Sequence, residues 1–206
     1  DQRKIPADAP AGLFTGDFAA IADDPSIEIV VEVIGGTDHA FTFVDAAMRK
    51  GKNVVTANKQ LLASKGEALF TLARDLKRHL RFEASVAGAI PIIKVMRESM
   101  IAAQVHTVYG IVNGTTNYIL TRMYDEEGDY ADILAEAQRL GYAEADPTAD
   151  VGGGDAAAKM AILGSIAFHS RVTLGDVVYE GIQNVTLGDV RYAKDAFEGL
   201  RLMEPL

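Results

Sequence analysis

Between Leu140 and Lys159 the chain reads L-G-Y-A-E-A-D-P-T-A-D-V-G-G-G-D-A-A-A-K, which sets Glu144, Asp146, Asp150 and Asp155 ahead of a single lysine. A stretch so rich in Gly and Pro buries little apolar surface, yet it concentrates carboxylates at the mouth of an apolar helix. Carboxylates crowded beside an ammonium can bind an amino-acid-like substrate, hold a cation or tune a proton donor. Asp155 and Lys159 are four apart, so they share one helical face. The competing reading is a solvated acidic loop feeding a helix, with that pair an ordinary surface ion pair.

Other chemistry-bearing strings stand where strands are expected to end. Gly35-Gly36 follows the apolar run I-E-I-V-V-E-V-I (27–34), and T-A-N-K (56–59) follows a second short strand. Open parallel sheets bind ligands at that edge. A glycine pair there lets a ligand approach the backbone, or simply makes a turn. Lys59 is either a ligand-facing cation or a solvated helix-start lysine. The run E-A-S-V-A-G-A-I-P (83–91) either turns carbonyls outward to join Glu83 as oxygen ligands for a hard cation, or is a plain hinge.

The elements that must position these groups alternate. Strands are expected over 27–34, 53–56 and 80–86, with helices over 38–50 and 59–77 between them, the signature of a parallel α/β sheet. The first strand, almost continuously apolar, reads as buried on both faces. Past Gly88 the pattern changes. Helices are expected over 89–102, from a Thr115 or Thr116 cap to about Asp125, over 130–140, over 155–169 and over 192–200. Strands are expected over 104–112 and 177–185. The fold class is therefore α/β: a parallel sheet followed by an α+β segment, with domains at 1–87 and 88–206.

Composition narrows the function classes. The chain has 206 residues, 49% hydrophobic and 24% charged, an ordinary globular balance. A net charge of −9 without a basic cluster argues against a nucleic-acid surface. With no cysteine, disulfides, thiolate catalysis and Cys-ligated zinc are excluded. No apolar run approaches a membrane span and no signal peptide is evident, so a cytoplasmic location without membrane contact is expected.

Five strings taken together, V-E-V-I-G-G, V-V-T-A-N-K, E-A-S-V-A-G-A-I-P-I-I, G-I-V-N-G-T-T-N-Y-I-L and the loop ending in Lys159, resemble in type and order the homoserine dehydrogenase family. The resemblance covers roughly residues 13–203, and it implies that 1–87 is a partial Rossmann-like dinucleotide-binding sheet and 88–206 an α+β substrate, catalytic and dimerisation domain. It implies NAD- or NADP-dependent interconversion of L-aspartate-4-semialdehyde and L-homoserine, on the way to threonine and methionine, by a homodimer acting on a small molecule. It implies that Lys159 donates a proton to the aldehyde oxygen. Glu144 would hold the substrate amino group and Asp155 would contact substrate, with Asp146 and Asp150 orienting it. Lys59 would lie near cofactor and substrate, and Gly141 and Gly35 against the cofactor. Glu83, Val86, Gly88 and Ile90 would bind a monovalent cation such as sodium.

The chain also departs from that pattern. No G-x-G-x-x-G turn is present, so the opening βαβ unit is expected to be missing and the sequence to be an internal piece. Such a piece would be either the central part of a working enzyme or an inactive substrate-binding and dimerisation module. Ala89 stands where glycine is common, and Ala158 where histidine often precedes the lysine.

Overall fold

The computed structural model describes residues 12–197, and two compact units divide after Val95. The first contains three parallel strands in the order β1-β2-β3: β1 (Ile29–Glu32), β2 (Asn53–Thr56) and β3 (Leu80–Arg81). A short helix α1 (Phe18–Ala22) precedes them, and the crossovers are α2 (Asp38–Arg49) and α3 (Lys59–Asp75). The parallel α/β sheet expected from the alternation is thus present. Register pairs Ile29 with Asn53 and Glu32 with Thr56, while Leu80 and Arg81 pair with Val54 and Val55.

Because strand side chains alternate faces, Val30, Glu32, Val54, Thr56 and Leu80 point to one side and Ile29, Val31 and Val55 to the other. Helices α2 and α3 pack against each other and cover the first side with Val44, Met48, Leu61 and Leu69, all fully buried. The second side carries no layer among the described residues, and Val31 is 63% exposed. The expectation of a strand buried on both faces is corrected here. A continuous apolar run records burial in a two-sided sheet, and only one side is covered by the described residues. The third strand is also shorter than expected, giving way to a 3-10 turn at Glu83–Ser85.

A three-residue helix α4 (Ile92–Lys94) and a π-turn (Val95–Ser99) replace the expected helix over 89–102. The second unit holds α5 (Gly114–Glu126), α6 (Tyr130–Leu140), α7 (Thr148–Val151), α8 (Gly154–Ala167) and α9 (Leu187–Phe197). Its core joins Ile119 and Met123 of α5 to Ile133 and Ala137 of α6, closed by Ala143 and Val151. Helix α8 buries Ala157, Ala158, Ala161, Ile162, Leu163, Gly164 and Ala167, as its all-round apolar sequence demands.

The strands expected over 104–112 and 177–185 do not form among the described residues. Strand propensity is realised only when backbone groups find a neighbouring strand, and neither segment has one there. A 3-10 turn at Leu174–Asp176 precedes the second. The last helix begins five residues earlier than expected, and the part of that expectation at 198–200 lies outside the described residues. No described helix is long and apolar enough to cross a membrane.

Candidate active site

In the second unit the site is built on the N-terminus of α5. Asn113, rather than Thr115 or Thr116, is its N-cap: Oδ1 accepts from the Thr116 N–H at 2.8 Å. A short amide side chain reaches the third helical N–H, which is why Asn ranks among the best caps. Thr115 is used elsewhere, donating its hydroxyl to the Tyr142 carbonyl at 2.8 Å. The Tyr118 ring packs on that of Tyr142 at 4.7 Å, so α5 grips the start of the acidic loop by backbone and ring.

From the same cap, Nδ2 of Asn113 donates to Asp150 Oδ1 at 2.7 Å and to Asp155 Oδ2 at 2.9 Å. Asp155, in the first turn of α8, carries Lys159 one turn on, with Nζ to Oδ2 2.7 Å. The ammonium also donates to the Val112 carbonyl at 2.6 Å. Exposures of 18% for Lys159 and 5% for Asp155 decide between the two readings of this pair: a half-buried ammonium sits on a buried carboxylate, which is not a solvated surface pair.

Three of the loop's expected site residues, Asp150, Asp155 and Lys159, are therefore brought together, and two stand apart. Asp146 Oδ1 accepts from the hydroxyl and the backbone N–H of Thr148, at 2.6 and 3.1 Å. That hydroxyl first, and the N–H second, hold its carboxyl below the usual carboxylate range. The Glu144 side chain is exposed and makes no hydrogen bond to the cluster; its backbone carbonyl accepts from Gln138 Nε2 at 3.1 Å.

Two glycines shape this loop. Gly141 ends α6 at φ 83°, and nothing lies within 4 Å of where a Cβ would stand. The first fact calls for glycine, and the second leaves room for a ligand against the backbone. Gly153, at φ 84°, has the opposite surroundings: a Cβ would meet the Glu180 carbonyl oxygen at 2.8 Å. The run of three glycines lets segment 179–182 close on the loop, and Ile182 N–H donates to the Val151 carbonyl at 2.8 Å.

In the first unit the sheet's carboxyl edge is organised by Glu32. Its Oε2 accepts from Thr56 Oγ1 at 2.5 Å, and its Oε1 accepts from Ile34 N–H at 2.9 Å and Asn58 Nδ2 at 3.4 Å. Asn58 also donates to the Gly36 carbonyl at 2.7 Å and caps α3 through Leu61 N–H at 3.0 Å. Gly35 and Lys59 thus sit on two turns that one buried carboxylate ties together, with open space at the Cα of Gly35. Sequence reasoning missed Glu32, Thr56 and Asn58. The available signal was an acidic residue inside an apolar strand, which demands partners when buried.

The Glu83 carboxylate accepts from Ile93 N–H at 3.0 Å and Lys94 N–H at 2.9 Å, fastening the loop that carries Val86, Gly88 and Ile90. Within that loop Ala87 and Ala89 have φ 50° and 69°, left-handed values that side chains disfavour. Local strain of this kind collects where a loop is shaped for binding. No group of three or more His, Cys, Asp or Glu that could hold a metal occurs among the described residues. A cation at this loop would rest on one carboxylate and backbone carbonyls, all oxygen donors suited to a hard ion of low charge.

Comparison with known proteins agrees with this geometry. A family model described as homoserine dehydrogenase matches residues 91–205, and one described as the homoserine dehydrogenase NAD binding domain matches residues 1–83. The chain is 52% identical to homoserine dehydrogenase of Corynebacterium glutamicum over 93% of its own length and 43% of that protein's. It is 44% identical to the Bacillus subtilis enzyme over 94% of its length and 45% of that protein's. Among solved structures, homoserine dehydrogenase from Thiobacillus denitrificans superposes with a TM-score of 0.86 at 48% identity, covering 88% of this chain and 42% of that one. The Staphylococcus aureus enzyme at pH 7.5 gives 0.74 at 40% identity, covering 88% of this chain and 44% of that one. The chain thus spans less than half the length of these relatives. Both family models fall on the segments that hold the two candidate sites, and on that ground the chain belongs to the homoserine dehydrogenase family.

Proposed function

We propose that this chain carries the substrate and proton-donor machinery for interconverting L-aspartate-4-semialdehyde and L-homoserine, within an NAD(P)-dependent homoserine dehydrogenase. The observation that carries the reading is the Lys159–Asp155 pair at 2.7 Å, its carboxylate buried and joined to Asp150 through one amide. The bound dinucleotide, NAD or NADP, supplies or accepts the hydride. As an aldehyde carbon gains hydride, negative charge builds on its oxygen, and a positioned ammonium both stabilises that charge and donates the proton. Lys159 does this, and solvent returns its proton. Asp155 holds the ammonium in place and faces the substrate, Asp150 and Asp146 orient it, and the exposed carboxylate of Glu144 receives the substrate's amino group. Lys59, Gly35 and Gly141 face the cofactor.

Glu83 with the carbonyls of Val86, Gly88 and Ile90 holds a monovalent cation, sodium, which fixes the strained loop. We assign residues 1–87 to the dinucleotide-binding domain and 88–206 to substrate binding, catalysis and dimerisation. Exposed apolar side chains in the second unit, Ile101, Tyr109, Ile111, Val178 and Tyr179, support a homodimer, and cysteine-free composition is compatible with the cytoplasm.

A second reading is favoured by the uncovered face of the sheet: the isolated chain binds homoserine and dimerises without turning over. Homoserine oxidation by the purified chain, followed through reduced nicotinamide absorbance with NAD and then NADP, separates the two. Turnover abolished by Lys159→Ala supports the enzyme. Homoserine binding by calorimetry without turnover supports the module, and neither turnover nor binding refutes both.

A further inference from the structure

We infer that Asn113 is a positioning residue for the proton donor, a role that rests on the proposed function and that the acidic loop does not itself contain. The two hydrogens of one amide nitrogen point to two carboxylates, Asp150 at 2.7 Å and Asp155 at 2.9 Å, while the carbonyl oxygen of the same amide caps α5 at 2.8 Å. Both donors and one of the two acceptor lone pairs are occupied, and the side chain is buried. Few side chains can do this. An acid would add a third negative charge, a hydroxyl is too short to reach both carboxylates, and a lysine or arginine has no oxygen for the cap.

The preceding residue completes the arrangement. Lys159 Nζ donates to the Val112 carbonyl at 2.6 Å and to the same Asp155 oxygen that Asn113 holds. Residues 112 and 113 therefore touch both halves of the ion pair, one through a carbonyl to the ammonium and the other through an amide to the carboxylate. Two of the ammonium's three N–H bonds are directed by this bracket, and the direction of the third follows from tetrahedral geometry. A flexible lysine stem becomes a fixed donor, which is what proton transfer to a developing oxyanion requires. The same amide lets two like-charged carboxylates sit side by side, a placement costly without shared donors.

The test uses the full-length protein. Asn113→Asp keeps the shape and the capping oxygen but replaces both donors with an acceptor. Its kcat for homoserine oxidation should fall about 100-fold, the scale of misplacing a reacting group by an ångström. KM for the dinucleotide should stay within about twofold, since the bracket contacts only the donor and its partners. Adding Asp150→Asn restores the charge count and one amide–carboxylate bond with donor and acceptor exchanged, and should recover about tenfold of the loss. A residue that merely capped α5 would tolerate Asn113→Asp, because Asp caps as well as Asn. A kcat within about threefold of wild type would overturn the bracket.

A readout independent of turnover separates this inference from the proposed function. In the wild-type protein the Asn113 side-chain amide protons should exchange slowly with solvent, and Asp155→Ala should accelerate them. Fast exchange in the wild type overturns the bracket whether or not homoserine is the substrate. Slow exchange in a wild type that fails to oxidise homoserine would leave the bracket standing and refute the proposed activity.

Discussion

Lys159 Nζ stands 2.7 Å from Asp155 Oδ2 with the carboxylate only 5% exposed, so a spacing that on most helices marks a weak surface pair here sets a half-buried ammonium on a buried carboxylate. Exposed i,i+4 pairs contribute about 0.3–0.5 kcal/mol. Removing the lysine costs more than that, because the carboxylate left behind is buried with the Asn113 amide still on it.

Lys159→Ala should therefore act in two ways. Turnover in the full-length protein should fall by roughly 100- to 10,000-fold, the usual range for a general acid, with the dinucleotide's dissociation constant nearly unchanged. The melting temperature should also fall, since Asp155 loses its cation. Near-normal kcat in a folded Lys159→Ala variant would remove Lys159 from the chemistry.

Glu32→Ala should destabilise the first unit. Thr56 Oγ1 loses its acceptor in a buried setting, while Asn58 Nδ2 keeps the Gly36 carbonyl and the Ile34 N–H lies at an exposed residue. One orphaned buried donor costs about 1–3 kcal/mol, so a loss of about 2 kcal/mol is expected from urea unfolding. A loss under about 1 kcal/mol would mean that water replaces the carboxylate.

Ala89→Gly should stabilise the protein. The left-handed φ of 69° costs a side chain about 1–2 kcal/mol, whereas glycine adds about 0.5–1 kcal/mol of unfolded-state entropy. The balance is a gain of about 0.5–1 kcal/mol, read as a shift in the urea midpoint. An unchanged or lower midpoint would show that cation binding or neighbouring contacts already offset the strain.

The two glycines of the acidic loop should respond differently to alanine. Gly141→Ala meets open space and suffers only its φ, offset in part by the lower unfolded-state entropy of alanine, so about 0.5–1 kcal/mol is lost and a raised KM for the dinucleotide is expected. Gly153→Ala meets the same strain plus a carbonyl oxygen 2.8 Å from its Cβ. Its unfolding free energy should drop further than that of Gly141→Ala, and equal losses would show that segment 179–182 yields easily.

Acid should weaken the protein through Asp146, Asp176 and Asp189. Each carboxyl is held low first by the hydroxyl and then by the backbone N–H of a threonine: Thr148, Thr173 and Thr186 respectively. A depressed carboxylate stabilises the fold fully above its unfolded pKa of about 3.9, and that contribution disappears as pH falls through the lower folded value. Melting temperature should therefore decline below about pH 4, and Thr148→Val should make that decline shallower. An identical acid limb in Thr148→Val would show that the Asp146 turn contributes nothing to folding.

The sequence alone determined the alternation of strands and helices in the first unit, the approximate spans of α2, α3, α5, α6 and α8, and the family, because these depend on local periodicity and on ordered short strings. Helix α8 was legible for the same reason: its apolar residues surround the axis and must be buried somewhere. What only tertiary structure decided were relationships across long separations. Asn113 meets Asp150 and Asp155, and Glu32 meets Thr56 and Asn58, at distances in sequence that no periodicity encodes. The segments 104–112 and 177–185 show the reverse failure, for their β-rich composition states a preference that only a neighbouring strand can satisfy. Residue type named the groups able to do chemistry; folding decided which of them share a hydrogen bond, because burial forces polar groups to find partners wherever the chain happens to bring them.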